Sequence, residues 1–500
     1  MAALALISAG QLSAEIGFKQ CRRGPAVEGP ETVASKTYNL VCITDPGVKA
    51  SINGEEAHVY NTGAFGLPVQ LKEGENTITV VLKKGSESRT EELKVVYDPE
   101  AKGRGPRPPK PEADPSRPQP NTLYERLMYG VTLPGTYMQY GTGTDRLGGS
   151  RMGNLEPGIT VKIVGQYNDL YKVQLSENKW TYIPMEYVAP SAKETKIVNT
   201  NNMSVSNQGE YDRISISLPD KLPYVVWCQT DPLTINLDVC GAMNNCNWIS
   251  HRRDLEMIEY VDVVQIESDV CRFVIRLKEK YSWGYAIKYI GNTLTMDVKH
   301  SPALTLKGMK VGLDAGHGGE ASPGAIGFTG LRESDVNLDI VMRVKKLLEA
   351  KGATVVLSRS EDVEVSMAAR RKTFVDENVD IAISIHNNAG GGPYKPMGTS
   401  TYYKYITNRD LAGCLLDRML ELKVPNFGLV GNFNFSLGTP TEYPNALVEG
   451  LFMSSLPDEE ILASEAGREQ IAQKVVSGLE DYIAKVAQAQ GQPSKSSKKK

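Results

Sequence analysis

"MKVGLDAGHGGE", residues 309–320, marks the point where a long series of short β segments gives way to a different rhythm. The run through Val311, Gly312 and Leu313 reads as a buried strand, and it ends on Asp314 and His317 set among glycines. A helix is predicted next: "SDVNLDIVMRVKKLLEAKG" spaces Val336, Leu338, Val341, Val344, Leu347 and Leu348 along one face, with Ser334 as N-cap and Gly352 as stop. Thereafter "ATVVLSR" reads as a strand, 366–377 as a helix, "DIAISIHNN" and "TSTYYKY" as strands, 408–421 as a helix, "NALVEGLF" as a strand and 464–486 as a closing helix. Such alternation predicts an α/β domain over residues 306–487, its mostly parallel sheet flanked by helices.

Upstream, the pattern is β throughout. Residues 28–98 alternate apolar and polar positions in runs such as "ENTITVVLKK" and "EELKVVYD", separated by Gly-containing turns, and resemble a small immunoglobulin-like sandwich. Residues 99–122, "PEAKGRGPRPPKPEADPSRPQPNT", combine proline with charge and offer almost nothing apolar to bury, so an extended linker is expected. Residues 123–190 give short, closely spaced strands with Gly and Asn turns and resemble a bacterial SH3-like barrel. Residues 194–300 continue with "RISISLP", "LTINLDVCG", "CRFVIRLK" and "NTLTMDVK", similar to the AMIN-like all-β domains found ahead of wall amidases; Trp248 and Trp283 are expected to pack its core. The fold class is therefore multidomain, with three small all-β modules ahead of a C-terminal α/β domain.

The totals exclude several functions. Five hundred residues exceed what one core supports. A net charge of -3 lacks the basic excess with which nucleic-acid binders displace counterions, and no apolar run approaches the roughly 20 residues of a membrane-spanning helix. Residues 1–20 begin "MAALALISAGQLSA", small and apolar like the later part of a secretory signal but with no basic residue before Lys19, and read as a truncated signal segment. Among seven cysteines, Cys228, Cys240, Cys246 and Cys271 lie close enough in sequence to contain a disulfide. The tail 488–500, ending "SKSSKKK", is basic and expected to be disordered.

In an open α/β sheet, reactive groups collect beyond the carboxyl ends of the strands, where loops converge on one crevice. His317 ends the first strand there, Glu333 opens the first helix, His386 ends "DIAISIH", and Glu449 lies within "ALVEGLF". Singly, a strand-end His is usually structural and a helix-opening Glu complements the dipole. Together they suggest chemistry, because two neutral imidazoles and one carboxylate form a three-ligand zinc set whose fourth position stays open to water.

The motifs "LDAGHGGEASPGAIGFTGLRESDVNLDI", "VVLSRSEDVEVSMAARR", "DIAISIHNNA", "GTSTYYK" and "ALVEGLFMSS" occur in order, and on them residues 308–486 resemble the zinc-dependent N-acetylmuramoyl-L-alanine amidases of the AmiC-like type. The resemblance implies one catalytic Zn2+ held by His317, Glu333 and His386, with Glu449 as general base. It implies peptidoglycan as partner and substrate, cleavage between N-acetylmuramic acid and L-alanine of the stem peptide, and export to the periplasm or cell envelope for wall remodelling or daughter-cell separation. Asp314 is expected to orient a ligand, Asn388 to contact substrate or hold His386, and Arg359 and Arg370 to brace the domain by ion pairing. Gly316, Gly318 and Gly319 are expected to let substrate approach closely. The chain departs from the family's usual pattern at Ala315, Ser322 and Val375, where proline, Asp and Asn are common. A domain of about 180 residues leaves no room for the helical plug of regulated members, and the sequence identifies no activator. Two other readings stay open: an inactive wall-binding protein, and a zinc hydrolase acting on another wall bond.

Overall fold

Parallel strands buried on both faces require nearly continuous apolar sequence, and "KVGLDA" and "IAISIHNN" supply it at the centre of a six-stranded sheet. In the computed structural model, which describes residues 16–21, 30–101, 122–145 and 147–491, the strands of this sheet are β1 (Lys310–Ala315), β2 (Thr354–Leu357), β3 (Ile381–Asn388), β4 (Thr399–Tyr402), β5 (Asn426–Val430) and β6 (Asn445–Phe452). Their order is β2-β1-β3-β6-β4-β5. The first four in that order are parallel, with Leu313 opposite both Leu357 and Ile383, and His386 opposite Glu449. β4 runs antiparallel to β6, and β5 parallels β4. The predicted parallel sheet is therefore reversed at one edge, which brings Ser400 beside Glu449.

Five helices cover the sheet: α1 (Glu333–Ala350), α2 (Met367–Asp376), α3 (Arg409–Leu420), α4 (Leu456–Ala463) and α5 (Glu465–Ala489). Val311, Leu313, Ile383 and Ile385 join one apolar cluster with α1, α3 and α5, while Phe374 of α2 joins Ala382 and Tyr443 in a separate cluster. Gly312 lies under Phe374, since a β-carbon there would meet its ring at 3.1 Å. The period of two along a strand thus puts Asp314, Ser384, His386 and Glu449 on the α2 side, away from the main core.

Three local expectations change. Ser334 is not the N-cap of α1: the helix opens at Glu333, two residues earlier than that cap implies, Arg332 occupies the cap position without a side-chain cap bond, and the Ser334 hydroxyl is buried with no hydrogen-bond partner among the described residues. Gly352 does follow the helix end, with φ +85°, the left-handed geometry glycine adopts most easily. β5 and α4 carry no clear period in "NFGLV" and "LPDEEILA" and were absent from the sequence reading.

Upstream, residues 16–21 and 30–97 form a three-stranded sheet facing a five-stranded one over Leu40, Ile52, Phe65, Ile78 and Leu82. The strands within residues 122–145 and 147–191 form a seven-stranded antiparallel sheet, and those within residues 198–299 form sheets of five, four and two strands. Trp283 is fully buried against Tyr482 of α5, with ring centroids 6.3 Å apart, so it joins two modules; Trp248 is 68% exposed and packs no core. The 198–299 unit meets the sheet at its amino ends, where Lys299 pairs with Asp380 at 3.1 Å and Tyr285 N–H donates to Thr441 O at 2.7 Å. All seven cysteines are free thiols, so the suggested disulfide is not formed. Most of residues 99–122, residues 1–15 of the segment expected as a signal and residues 492–500 of the tail lie outside the described residues, while Phe18–Cys21 at the end of that first segment pairs with Val41–Thr44 in the sandwich. No helix among the described residues is long and apolar enough to cross a membrane.

Candidate metal centre

His317, Glu333 and His386 converge beyond the carboxyl ends of β1 and β3. Glu333 Oε1 lies 3.4 Å from His317 Nε2 and 3.1 Å from His386 Nδ1, and the three ligand atoms all fall within 4.8 Å of one another. Donors about 2.0–2.2 Å from a tetrahedral ion stand roughly 3.3 Å apart, so the two measured edges fit one zinc-sized centre. The donor types fit as well: two imidazoles and one carboxylate, with a side left open for a fourth ligand.

Each donor is held by its own element. His317 takes φ +62°, an uncommon conformation for a residue with a β-carbon, and it persists because its neighbours fix the turn. Arg370 Nη2 donates to His317 O at 2.6 Å, and Gly316 N–H donates to Ile385 O at 3.0 Å. Arg370, 1% exposed, also donates to Asp314 Oδ1 at 2.7 Å and to Ala315 O at 2.7 Å; Asp314 in turn accepts from Ser358 and Ser384, both at 2.6 Å. Asp314 therefore acts on His317 through Arg370. Among the described residues Arg359 makes no close ion pair: it donates to the carbonyls of Ala315, Gly316, Ser334 and Glu361. Its bracing is done by hydrogen bonds to backbone, which the ion-pair expectation missed.

Burial works against an ionised Asp314, and the Arg370 guanidinium beside it outweighs that effect, holding the carboxyl below its usual range. Replacing Arg370 by Met is expected to destabilise the domain by about 3–5 kcal/mol, the usual consequence of leaving one member of a buried ion pair unpaired. Urea denaturation of the two proteins would measure it.

The glycines serve packing more than access. A β-carbon on Gly316 would meet the His386 ring at 2.3 Å, and one on Gly318 would meet Val363 O at 2.4 Å. Their small size lets the walls of the site close on each other.

Two residues that sequence reading passed over complete the carboxylate's surroundings. Asn337 Nδ2 stands 3.3 Å from Glu333 Oε1, Asn387 N–H donates to the same oxygen at 3.2 Å, and the two amides join through Asn387 Nδ2 to Asn337 Oδ1 at 2.8 Å. Ala325 N–H holds the other oxygen at 2.8 Å. The available signal was spacing: Asn337 lies one helical turn after Glu333, a poor place for an amide unless it has a partner. Asn388, expected to contact substrate or hold His386, does not take the second role: its Oδ1 accepts from Ala389 N–H at 2.8 Å and its Nδ2 lies 3.5 Å from Tyr402 OH. Of the departures from the family pattern, Ser322 Oγ sits 3.4 Å from His317 Nδ1 and Val375 is 40% exposed, and neither disturbs the three donors.

Burial opposes the charge on Glu333, yet hydrogen bonds from His317 and His386 hold its carboxyl well below the ordinary range. For His386 burial favours the neutral ring, but the Glu333 bond and the charge of Glu449 prevail and raise it to about 9. At pH 7 the metal-free ring therefore carries a proton that a metal ion must displace. Zinc uptake is expected to release that proton, and apparent affinity to rise by about tenfold per pH unit from neutrality toward 9 before levelling; zinc titrations in buffers of different ionisation enthalpy would show both.

Residues 311–481 match the family described as N-acetylmuramoyl-L-alanine amidase. Over 196 residues the chain is 32% identical to the uncharacterized protein YqiI of Bacillus subtilis, a match covering 38% of this chain and 93% of that one. The chain belongs to the N-acetylmuramoyl-L-alanine amidase family. The amidase family member AmiC of Neisseria meningitidis is 30% identical over 216 residues, 34% of this chain and 52% of its own length. Among solved structures, the amidase AmiC2 of Nostoc punctiforme shares 31% identity over 35% of this chain and 97% of that chain, with a TM-score of 0.33. The chain thus spans about half the length of the Neisseria relative, and the segments upstream of residue 311 lie outside the family match.

Proposed function

We propose that this amidase hydrolyses the amide between the lactyl group of N-acetylmuramic acid and the first L-alanine of the peptidoglycan stem, with His317, Glu333 and His386 holding one zinc ion. The observation that carries this reading is the meeting of three donor atoms within 4.8 Å at the carboxyl end of the sheet, inside the segment that matches the family. When bound, zinc supplies Lewis acidity, polarising a carbonyl and lowering the pKa of water to about 7. The protein's own residues do the rest. Glu333, fixed by Ala325, Asn337 and Asn387, keeps both imidazoles turned toward one point. Glu449, in register with His386, takes a proton from the attacking water on a carboxylate oxygen and returns it to the alanine nitrogen as the carbon–nitrogen bond breaks. Oxygen ends on the lactyl carbonyl carbon and the stem peptide leaves as a free amine.

A polymer outside the cytoplasm as substrate places the protein in the cell envelope, where its β modules would carry the amidase domain to the wall. Stripping the metal with a chelator is expected to abolish wall hydrolysis by the full chain, and one equivalent of zinc to restore it. Full activity after verified metal removal would contradict the reading.

A further inference from the structure

Two loops rim the donor set: residues 318–332, between His317 and Glu333, and residues 389–398, which follow β3. Both are tied to the start of α4. Glu459, with no exposed surface, accepts from Phe328 N–H at 3.1 Å, Thr329 N–H at 2.9 Å and Thr329 Oγ1 at 2.6 Å. Asp458, equally buried, accepts from the N–H groups of Met397 and Gly398, both at 3.1 Å. Carboxylates buried this deeply are stable only while such donors stay in place, so the loops and α4 are fixed to one another. The first loop sits so close that a β-carbon on Gly327 would fall 2.3 Å from Glu459 Oε1. The same loop supplies Ala325, whose N–H holds Glu333 Oε2.

The amino-terminal sandwich closes on these same pieces. Leu456, 1% exposed, packs with Val41 and Ala64 of the sandwich, and Phe328 and Tyr394 fill in around them. Tyr394 OH donates to Leu40 O at 3.0 Å, Asn61 N–H to Glu460 Oε1 at 2.6 Å, and the Cys21 thiol to Phe328 O at 3.5 Å. Phe328 is thereby gripped from one side by Glu459 and from the other by a strand about 300 positions earlier in the chain.

We propose that the amino-terminal sandwich is a positioning element of the active site: docked on Phe328, Tyr394 and α4, it holds the 318–332 loop so that Ala325 keeps Glu333 turned toward His317 and His386. The proposal rests on reading those three residues as metal ligands. A sandwich that only tethers the enzyme to the wall would have no effect on metal affinity.

The test uses the full chain and two readouts besides activity: zinc affinity by competition with a chromophoric chelator, and the rate of thiol labelling at Cys21 followed by peptide mass. Burial pushes the Cys21 thiol up to about 11, so little reactive thiolate exists while the sandwich is docked. Tyr394→Ala combined with Glu460→Ala removes two joints from the enzyme side, and Ala64→Arg opens the same seam from the sandwich side. Each is expected to speed Cys21 labelling and weaken zinc binding about tenfold, the lower end of what losing a partner behind a metal ligand does. Glu460→Gln, which keeps an acceptor for Asn61, is expected to bind zinc like the wild type. Unchanged zinc affinity in a variant whose Cys21 has become reactive would overturn the proposal, as would rapid Cys21 labelling in the wild type. Failure of the wild-type chain to bind zinc would instead overturn the metal reading, and this inference with it.

Discussion

Replacing Glu449 by alanine is expected to lower turnover by ~10²–10⁴-fold, the usual contribution of a positioned general base, with zinc still bound. The two effects separate because of geometry. Glu449 stands on β6 in register with His386 on β3, the strand next to its own, while the imidazoles of His317 and His386 converge on Glu333 Oε1. It lies within reach of the site's electrostatics, since its charge helps to raise His386, yet it is not one of the atoms within the 4.8 Å group. Truncation should therefore leave the donor set whole and remove only the proton acceptor. Turnover on soluble muropeptides together with zinc content would check it, and loss of metal in the variant would show that Glu449 is a ligand.

Glu333→Gln is expected to produce the opposite pattern, with metal and activity lost together. Glu333 is 4% exposed and every approach to its carboxylate is made by a donor: the two imidazoles, the N–H groups of Ala325 and Asn387, and the Asn337 amide. A glutamine of the same shape removes the negative charge that draws a cation and turns an N–H₂ group toward one of those donors, where no bond can form. Zinc affinity should fall by at least the ~10–100-fold seen when a group behind a ligand is lost. Chelator competition measures this directly; near wild-type affinity would remove Glu333 from the ligand set.

The three converging residues were legible in sequence because they occupy ends of strongly patterned elements. "IAISIH" stays apolar up to His386, and a strand buried on both faces can carry such a residue only at its rim. His317 and Glu333 bracket the loop between β1 and α1 for the same reason. What supports them was less visible. Asn337 and Asn387 look like ordinary polar interruptions until α1 is laid beside β3, because their value lies in a pairing between elements that one-dimensional spacing does not encode. Trp248 and Trp283 are chemically alike, yet one is exposed and the other is buried against α5, an outcome decided by which module packs where. The reversed direction of β4, which lies between β6 and β5, also escaped prediction, since a four-residue buried strand reads the same in either direction. The largest omission concerns α4: its consecutive Asp458, Glu459 and Glu460 look like a solvated acidic run, and instead the first two are fully buried and the third meets the amino-terminal sandwich.

Product identity tests the central claim most directly. The purified 500-residue chain is incubated with muropeptides, with chelator and after zinc is returned, and the products are identified by mass. The account predicts release of intact stem peptide with a free L-alanine amine, absent under chelation and recovered with zinc; uncut muropeptide, or cleavage within the peptide or glycan, would contradict it.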